Sequence, residues 1–173
     1  AEALPDNALS LEDFSRLQSP GVAAARHPGI DIDLAMLVYT SGSTGNPKGV
    51  MMTHQNVEFA ASSITTYLEA RSDDVVLSVL PLSFDYGLYQ LLMCVKMGAT
   101  LVLEKSFAFP QKILPLLASE KVTGFPLVPT MAALILQLRN FDPAWARSVR
   151  YLTNTAAALP PAHIQKLREL FPN

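Results

Sequence analysis

Tyr39-Thr40-Ser41-Gly42-Ser43-Thr44-Gly45-Asn46-Pro47-Lys48-Gly49 follows an apolar run, Leu34 to Val38, that reads as a buried strand ending at Tyr39. Gly42, Gly45 and Gly49 allow backbone conformations in which successive N–H groups face one ligand. Thr40, Ser41, Ser43 and Thr44 add hydroxyl donors, and Lys48 adds a positive charge. Such a set suits a polyanion, the phosphates of a nucleotide above all. A surface hairpin rich in turn residues accounts for the same composition, so composition alone leaves both readings open. The G-x-x-x-x-G-K-[ST] loop is excluded: Pro47 stands where it needs glycine, and Gly49 where it needs Ser or Thr. Gly49-Val50-Met51-Met52 reads as a returning strand rather than a helix.

The bulk properties bound what surrounds this loop. Half of the 173 residues are apolar and 16% are charged, which gives a substantial core and argues against disorder. The net charge of −2, without a basic run, argues against nucleic acid as a partner. No apolar stretch reaches the roughly 18 residues of a membrane span, and no stretch reads as a signal peptide. A lone Cys94 excludes an internal disulfide and a cysteine metal cluster. A cytoplasmic location is expected.

Residues 1–33 read as a short helix, capped by Ser10 and ending near Gln18, and a linker that contains His27. Residues 34–173 read as an α/β unit. Thr53 caps a helix from His54 to about Ala70, with Val57, Ala60, Ala61, Ile64, Tyr67 and Leu68 inward. Val75 to Leu80 is a second strand. Pro81 to Gly87 is a strand-to-helix turn, the usual place for a site in an open α/β sheet. A buried helix from Leu88 to Met97 ends at Gly98, followed by strand 99–103, helix 110–120 and strand 122–128. Pro129-Thr130 opens a further helix, Asp142 to Trp145 a short turn, Val149 to Leu152 a fifth strand. Pro160-Pro161 starts a last helix that buries Ile164, Leu167, Leu170 and Phe171 and leaves His163 exposed. The alternation indicates helices packed over a mostly parallel sheet.

Tyr39 to Gly49, continued by Val50-Met51-Met52-Thr53-His54-Gln55-Asn56, resembles the phosphate-binding signature of the AMP-forming adenylating enzymes. These include acyl-CoA synthetases, luciferases and the adenylation domains of nonribosomal peptide synthetases. The resemblance implies ATP and Mg²⁺ as cofactors, a carboxylic acid as substrate, and coenzyme A or a carrier-protein thiol as acceptor. The acid attacks the α-phosphorus of ATP, and catalysis rests on positioning and charge stabilisation. Thr40, Ser41, Gly42, Ser43, Thr44, Gly45 and Lys48 would hold the β- and γ-phosphates, with Thr44 and Lys48 catalytic.

Three further segments extend the resemblance. Ser83-Phe84-Asp85, with Gly98 to Leu103, looks like the core motif of peptide-synthetase adenylation domains, in which the aspartate meets the substrate's amino group. Phe84 stands where many acyl-CoA synthetases show histidine, so two patterns are mixed. Asp85 as a helix cap is the plain structural alternative. Tyr86 and Thr130 are candidates for the acyl or amino-acid pocket, Thr130 with an equal reading as an N-cap. Thr155, Ala156 and Ala157 fall in the loop that lines the adenine and acyl sites, with Thr155-Ala156 in place of a Gly-Gly pair. Their β-carbons are expected to narrow the pocket or shift the loop.

The resemblance covers about Asp31 to Asn173 and implies an internal fragment of the family's large N-terminal domain. The family's Mg²⁺-binding glutamate, ribose-binding aspartate and second lysine have no counterpart in it, so the chain alone is expected to be inactive. An acyl-CoA synthetase is the first reading and an amino-acid-activating domain the second. A non-catalytic phosphate-binding module is the third.

Overall fold

The apolar run and its return form a hairpin, and the alternating runs after it form a separate parallel sheet. The computed structural model describes residues 29–40 and 47–173. The helix and most of the linker expected before residue 29, and His27, lie outside the described residues.

Strands β1 (Leu34–Thr40) and β2 (Lys48–Thr53) pair antiparallel, from Leu34 opposite Thr53 to Thr40 opposite Lys48. The chain passes directly into α1 (His54–Tyr67). Thr53 Oγ1 accepts from Asn56 N at 3.2 Å while Asn56 Oδ1 accepts from Thr53 N at 3.1 Å. This capping box has Asn in the place where Glu or Gln is usual.

The parallel sheet follows. β3 (Val75–Ser78) leads to α2 (Asp85–Met97), which ends at Gly98 with φ 68°, a left-handed cap that glycine adopts without strain. β4 (Thr100–Leu103) leads to α3 (Pro110–Ser119), and β5 (Gly124–Leu127) to α4 (Pro129–Leu136). A 3₁₀ turn, Pro143–Ala146, precedes β6 (Tyr151–Asn154), and α5 (Pro161–Leu170) follows it. The order is β4-β3-β5-β6, with β3–β4, β3–β5 and β5–β6 parallel. Between β3 and β5 the pairing is limited to Val76 opposite Gly124. Two residues on stands Pro126, which has no N–H to extend the ladder.

One face of the sheet carries the main core. Leu77, Phe125 and Leu127 pack with Leu114 and Leu117 of α3, Ile135 of α4 and Leu167 of α5. Most of these side chains are wholly buried, and each contributes about 1.5–3 kcal/mol on leaving water. The opposite face is covered by α2, with α1 packed against it. Buried Gly87 sits where α2 crosses the end of β3: a Cβ there would lie 2.2 Å from the Pro81 carbonyl oxygen. Gly87→Ala is therefore expected to destabilise the chain by about 1–3 kcal/mol, read as a lower urea midpoint. An unchanged midpoint would show that the turn yields freely.

Several expectations are corrected. β1 is not buried: Leu34 and Leu37 are about half exposed and Tyr39 is 70% exposed. It pairs with β2 rather than joining the parallel sheet, which leaves much of the hairpin open. Tyr67 is exposed; Ala61 is buried as expected, Val57, Ala60, Ile64 and Leu68 are half-buried, and Thr65 joins the inward line of α1. Thr65 is tolerated there because its hydroxyl donates to the Ala61 carbonyl at 2.8 Å. On α5, Leu167 and Phe171 are buried but Ile164 is exposed. His163 is half-buried rather than exposed, and its shielded Nδ1 has no hydrogen-bond partner among the described residues.

Candidate functional site

Two groups of side chains carry the site. The first is the mouth of the hairpin. Thr40 and Lys48 are directly opposed at the open end of β1 and β2, and Thr40 Oγ1 lies 3.5 Å from the Lys48 carbonyl oxygen. Both residues are exposed, and Lys48 has no ion-pair partner among the described residues. The antiparallel register is what brings them together across eight positions of sequence. Ser41, Gly42, Ser43, Thr44 and Gly45 lie outside the described residues. The Thr40 hydroxyl, which donates to the Lys48 carbonyl, and an exposed lysine ammonium are the kinds of group that suit the oxygens of a polyphosphate.

The second group lies at the carboxyl edge of the parallel sheet. β4 lies on one side of β3 and β5 on the other, so the chain changes direction at β3 and a crevice opens beyond the strand ends. The turn after β3 delivers Asp85 and Tyr86 to this edge. Tyr86 spans from α2 to the end of β6, where its hydroxyl meets Thr153 Oγ1 at 2.5 Å. Burial pushes the Tyr86 phenol up, against the opposing hydrogen bond with Thr153, so it is protonated at neutral pH. The backbone is held as well: Gln90 Nε2 donates to the Tyr86 carbonyl at 3.2 Å.

Of the two readings of Asp85, the helix cap does not hold. Asp85 is the first residue of α2, the N-cap position belongs to Phe84, and no side chain serves there. Asp85 is exposed, and its Oδ1 accepts from Tyr86 N at 2.7 Å. A carboxylate in the first helical turn is favoured by the dipole and is placed to meet a cationic group. Thr130 is not an N-cap either. Val128 takes that position in α4, and the exposed Thr130 hydroxyl makes no hydrogen bond among the described residues.

The loop after β6 completes this edge. Thr155 is half-buried, Ala156 and Ala157 are exposed, and Ala156 takes φ 71°. Asn154 Nδ2 donates to the Ala157 carbonyl at 2.8 Å. Thr153 and Asn154 also line a cavity of about 250 Å³ with Leu127, Leu152, Leu159 and Leu167. The structure thus brings Thr40 to Lys48 and Tyr86 to Thr153; Asp85 joins the second group through the Tyr86 backbone. Thr153 is a candidate site residue that the sequence reading left unassigned. Alternation in β6 was the available signal, since Tyr151 and Thr153 share a face.

Two other reactive side chains are inert. Burial pushes the Cys94 thiol up to about 11, so it is not a thiolate nucleophile at neutral pH. Burial likewise pushes Tyr151 up to about 12. Its ring lies so close over Gly124 that a Cβ there would be 2.4 Å away. Among the described residues no group of three His, Cys, Asp or Glu side chains converges, so no residue here is assigned to Mg²⁺. No helix among the described residues is long and apolar enough to cross a membrane.

Comparison with known proteins adds the remaining observations. Residues 4–173 match the family described as AMP-binding enzyme. The 4-coumarate-CoA ligase 1 of Narcissus pseudonarcissus is 34% identical over the whole of this chain, which spans 32% of that ligase. The malformin synthetase mlfA of Aspergillus brasiliensis is 37% identical over 75% of this chain and 2% of its own length. The solved structure of VinN with L-aspartate superposes with a TM-score of 0.82 at 39% identity, over 93% of this chain and 40% of VinN.

Proposed function

The chain belongs to the AMP-binding enzyme family, and from that premise we propose that it forms part of an ATP-dependent, AMP-forming ligase of a carboxylic acid. The observation that carries this reading is the register that sets Thr40 opposite Lys48 at the hairpin mouth, where Lys48 has no ion-pair partner among the described residues. In the proposed reaction an acid carboxylate oxygen bonds to the α-phosphorus of ATP. The bond from that phosphorus to the bridging oxygen breaks, and pyrophosphate leaves with the electron pair. An acyl-adenylate is the product, and a thiol then takes the acyl group and releases AMP.

The chain's own residues supply binding and charge. Thr40 donates a hydrogen bond and Lys48 a positive charge to the phosphates, most strongly as negative charge builds on the departing pyrophosphate. Thr44, Ser41, Ser43, Gly42 and Gly45 belong to the same proposed cradle. At the carboxyl edge, Tyr86 hydrogen-bonded to Thr153 would form a polar wall of the acid position, with Thr130 at the start of α4 as a further candidate, and the loop Thr155 to Ala157 would bound the acid and adenine positions. The acceptor is proposed to be coenzyme A, in keeping with the plant CoA ligase.

A second reading is that the acid carries an amino group. Asp85 presents a carboxylate in the first turn of α2, and the similar VinN was solved with L-aspartate. A carrier-protein thiol would then be the acceptor, as the likeness to malformin synthetase suggests. ATP–pyrophosphate exchange by the protein at its full natural length, assayed with fatty, aromatic and amino acids in parallel, tests both. Exchange with aromatic or fatty acids supports the first reading and exchange with amino acids the second. Exchange with none of them would overturn the ligase assignment.

A further inference from the structure

We propose that Asn154 is a positioning residue: its side-chain amide locks the β6–α5 loop in a strained turn and so sets the wall of the acid site. Among the described residues three without glycine's freedom have positive φ: Glu69, Lys121 and Ala156. Glu69 and Lys121 each follow the C-cap of a helix, where a left-handed residue is the ordinary way to end it. Ala156 follows a strand, so no helix end accounts for its φ of 71°. An L-residue with a β-carbon holds that conformation only when something nearby over-determines it.

The structure shows what does so. Asn154 Nδ2 reaches across the turn to the Ala157 carbonyl at 2.8 Å, closing a ring around Ala156. The neighbouring Thr153 is tied to Tyr86 on α2 at 2.5 Å, so the start of the loop is anchored on the opposite side. Asn154 also lines the 250 Å³ cavity beside Leu152 and Leu159. Release of the amide lets Ala156 relax to negative φ and moves the loop relative to Tyr86. Glycine at 156 makes the same turn without the lock.

The test uses Asn154→Asp, which keeps the shape but replaces the donor with an acceptor, and Ala156→Gly, singly and combined. NMR coupling constants in this chain report the sign of φ at residue 156 independently of any activity. Asn154→Asp is expected to move residue 156 out of the left-handed region, and the double variant to return it there. The second readout rests on the ligase reading: in the protein at full natural length, Asn154→Asp raises KM for the acid about tenfold and changes kcat less, with Ala156→Gly restoring it. A left-handed residue 156 that persists after Asn154→Asp would overturn the proposal, even in an active enzyme. Absence of exchange by the unsubstituted protein would instead count against the ligase reading alone, since the coupling constants still decide the role of Asn154.

Discussion

Lys48→Ala in the protein at full natural length is expected to reduce ATP–pyrophosphate exchange by about 10²–10³-fold, the usual effect of removing one preorganised group that stabilises developing charge. Lys48 is exposed and has no ion-pair partner among the described residues, so the fold does not depend on its ammonium. Its thermal stability should therefore stay within about 0.5 kcal/mol of the parent's. The loss should fall mainly on kcat, because the cation does most as pyrophosphate departs. Lys48→Arg is expected to recover only part of the rate, since a planar fork does not replace a compact ammonium. Exchange unchanged by Lys48→Ala would defeat the role given to the hairpin mouth.

Asp74→Ala is expected to be the most destabilising charge removal among the described residues, at about 3 kcal/mol, the lower end for breaking a buried pair because Arg150 keeps some contact with water. Asp74 is 3% exposed, just ahead of β3. Its Oδ1 accepts from Thr123 Oγ1 at 2.7 Å, its Oδ2 from Arg71 N at 2.7 Å, and both oxygens accept from an Arg150 nitrogen at 2.8 Å. Thr123 Oγ1 in turn accepts from Val75 N at 3.0 Å. Burial alone would raise the Asp74 carboxyl, but the hydrogen bonds from Arg150, Thr123 and Arg71 outweigh it and hold the group below its usual value. A depressed folded value means the contribution is complete above the unfolded carboxyl range, near pH 4, and is lost as pH falls toward the folded value. The stability gap between the parent and Asp74→Asn should thus be constant from about pH 5 to pH 8 and shrink below about pH 4. Urea melts across that range measure it; a gap that widens on acidification would contradict the assignment.

The legible parts of this molecule are those written in neighbouring residues. Thr53 as a cap, Gly98 as a helix end, the return of Gly49 to Met52 as a strand and the parallel alternation after it all depend on short spans, and all hold. What failed depends on how many neighbours an element finds. Leu34 and Leu37 look buried because apolar runs usually are, yet β1 pairs with β2 outside the parallel sheet and leaves them exposed. Tyr67 fits the helical stripe of α1 by spacing yet is exposed, while Thr65, a polar residue that spacing passes over, is buried beside Ala61. For the candidate site, Asp85 is singled out by the resemblance of Ser83-Phe84-Asp85, and the strand-to-helix turn that carries it and Tyr86 is legible from Pro81 and Gly87. Tyr86 and Thr153 are 67 residues apart and Asp74 and Arg150 are 76, separations across which no local pattern speaks. The start of α2 was misjudged because Phe84 provides no capping side chain to mark it.

Pro126 has a mechanical consequence for the whole sheet. At the amino ends of the strands, Asp74, Thr123 and Arg150 bolt β3, β5 and β6 to one another. Toward the carboxyl ends, the missing amide leaves β4–β3 and β5–β6 as two leaves with no backbone stitch between them. The sheet is built like a clothes-peg, bolted at one end and, at the other, held by side-chain packing rather than by backbone bonds. The Tyr86 phenol, reaching over to Thr153, is the catch laid across its jaws.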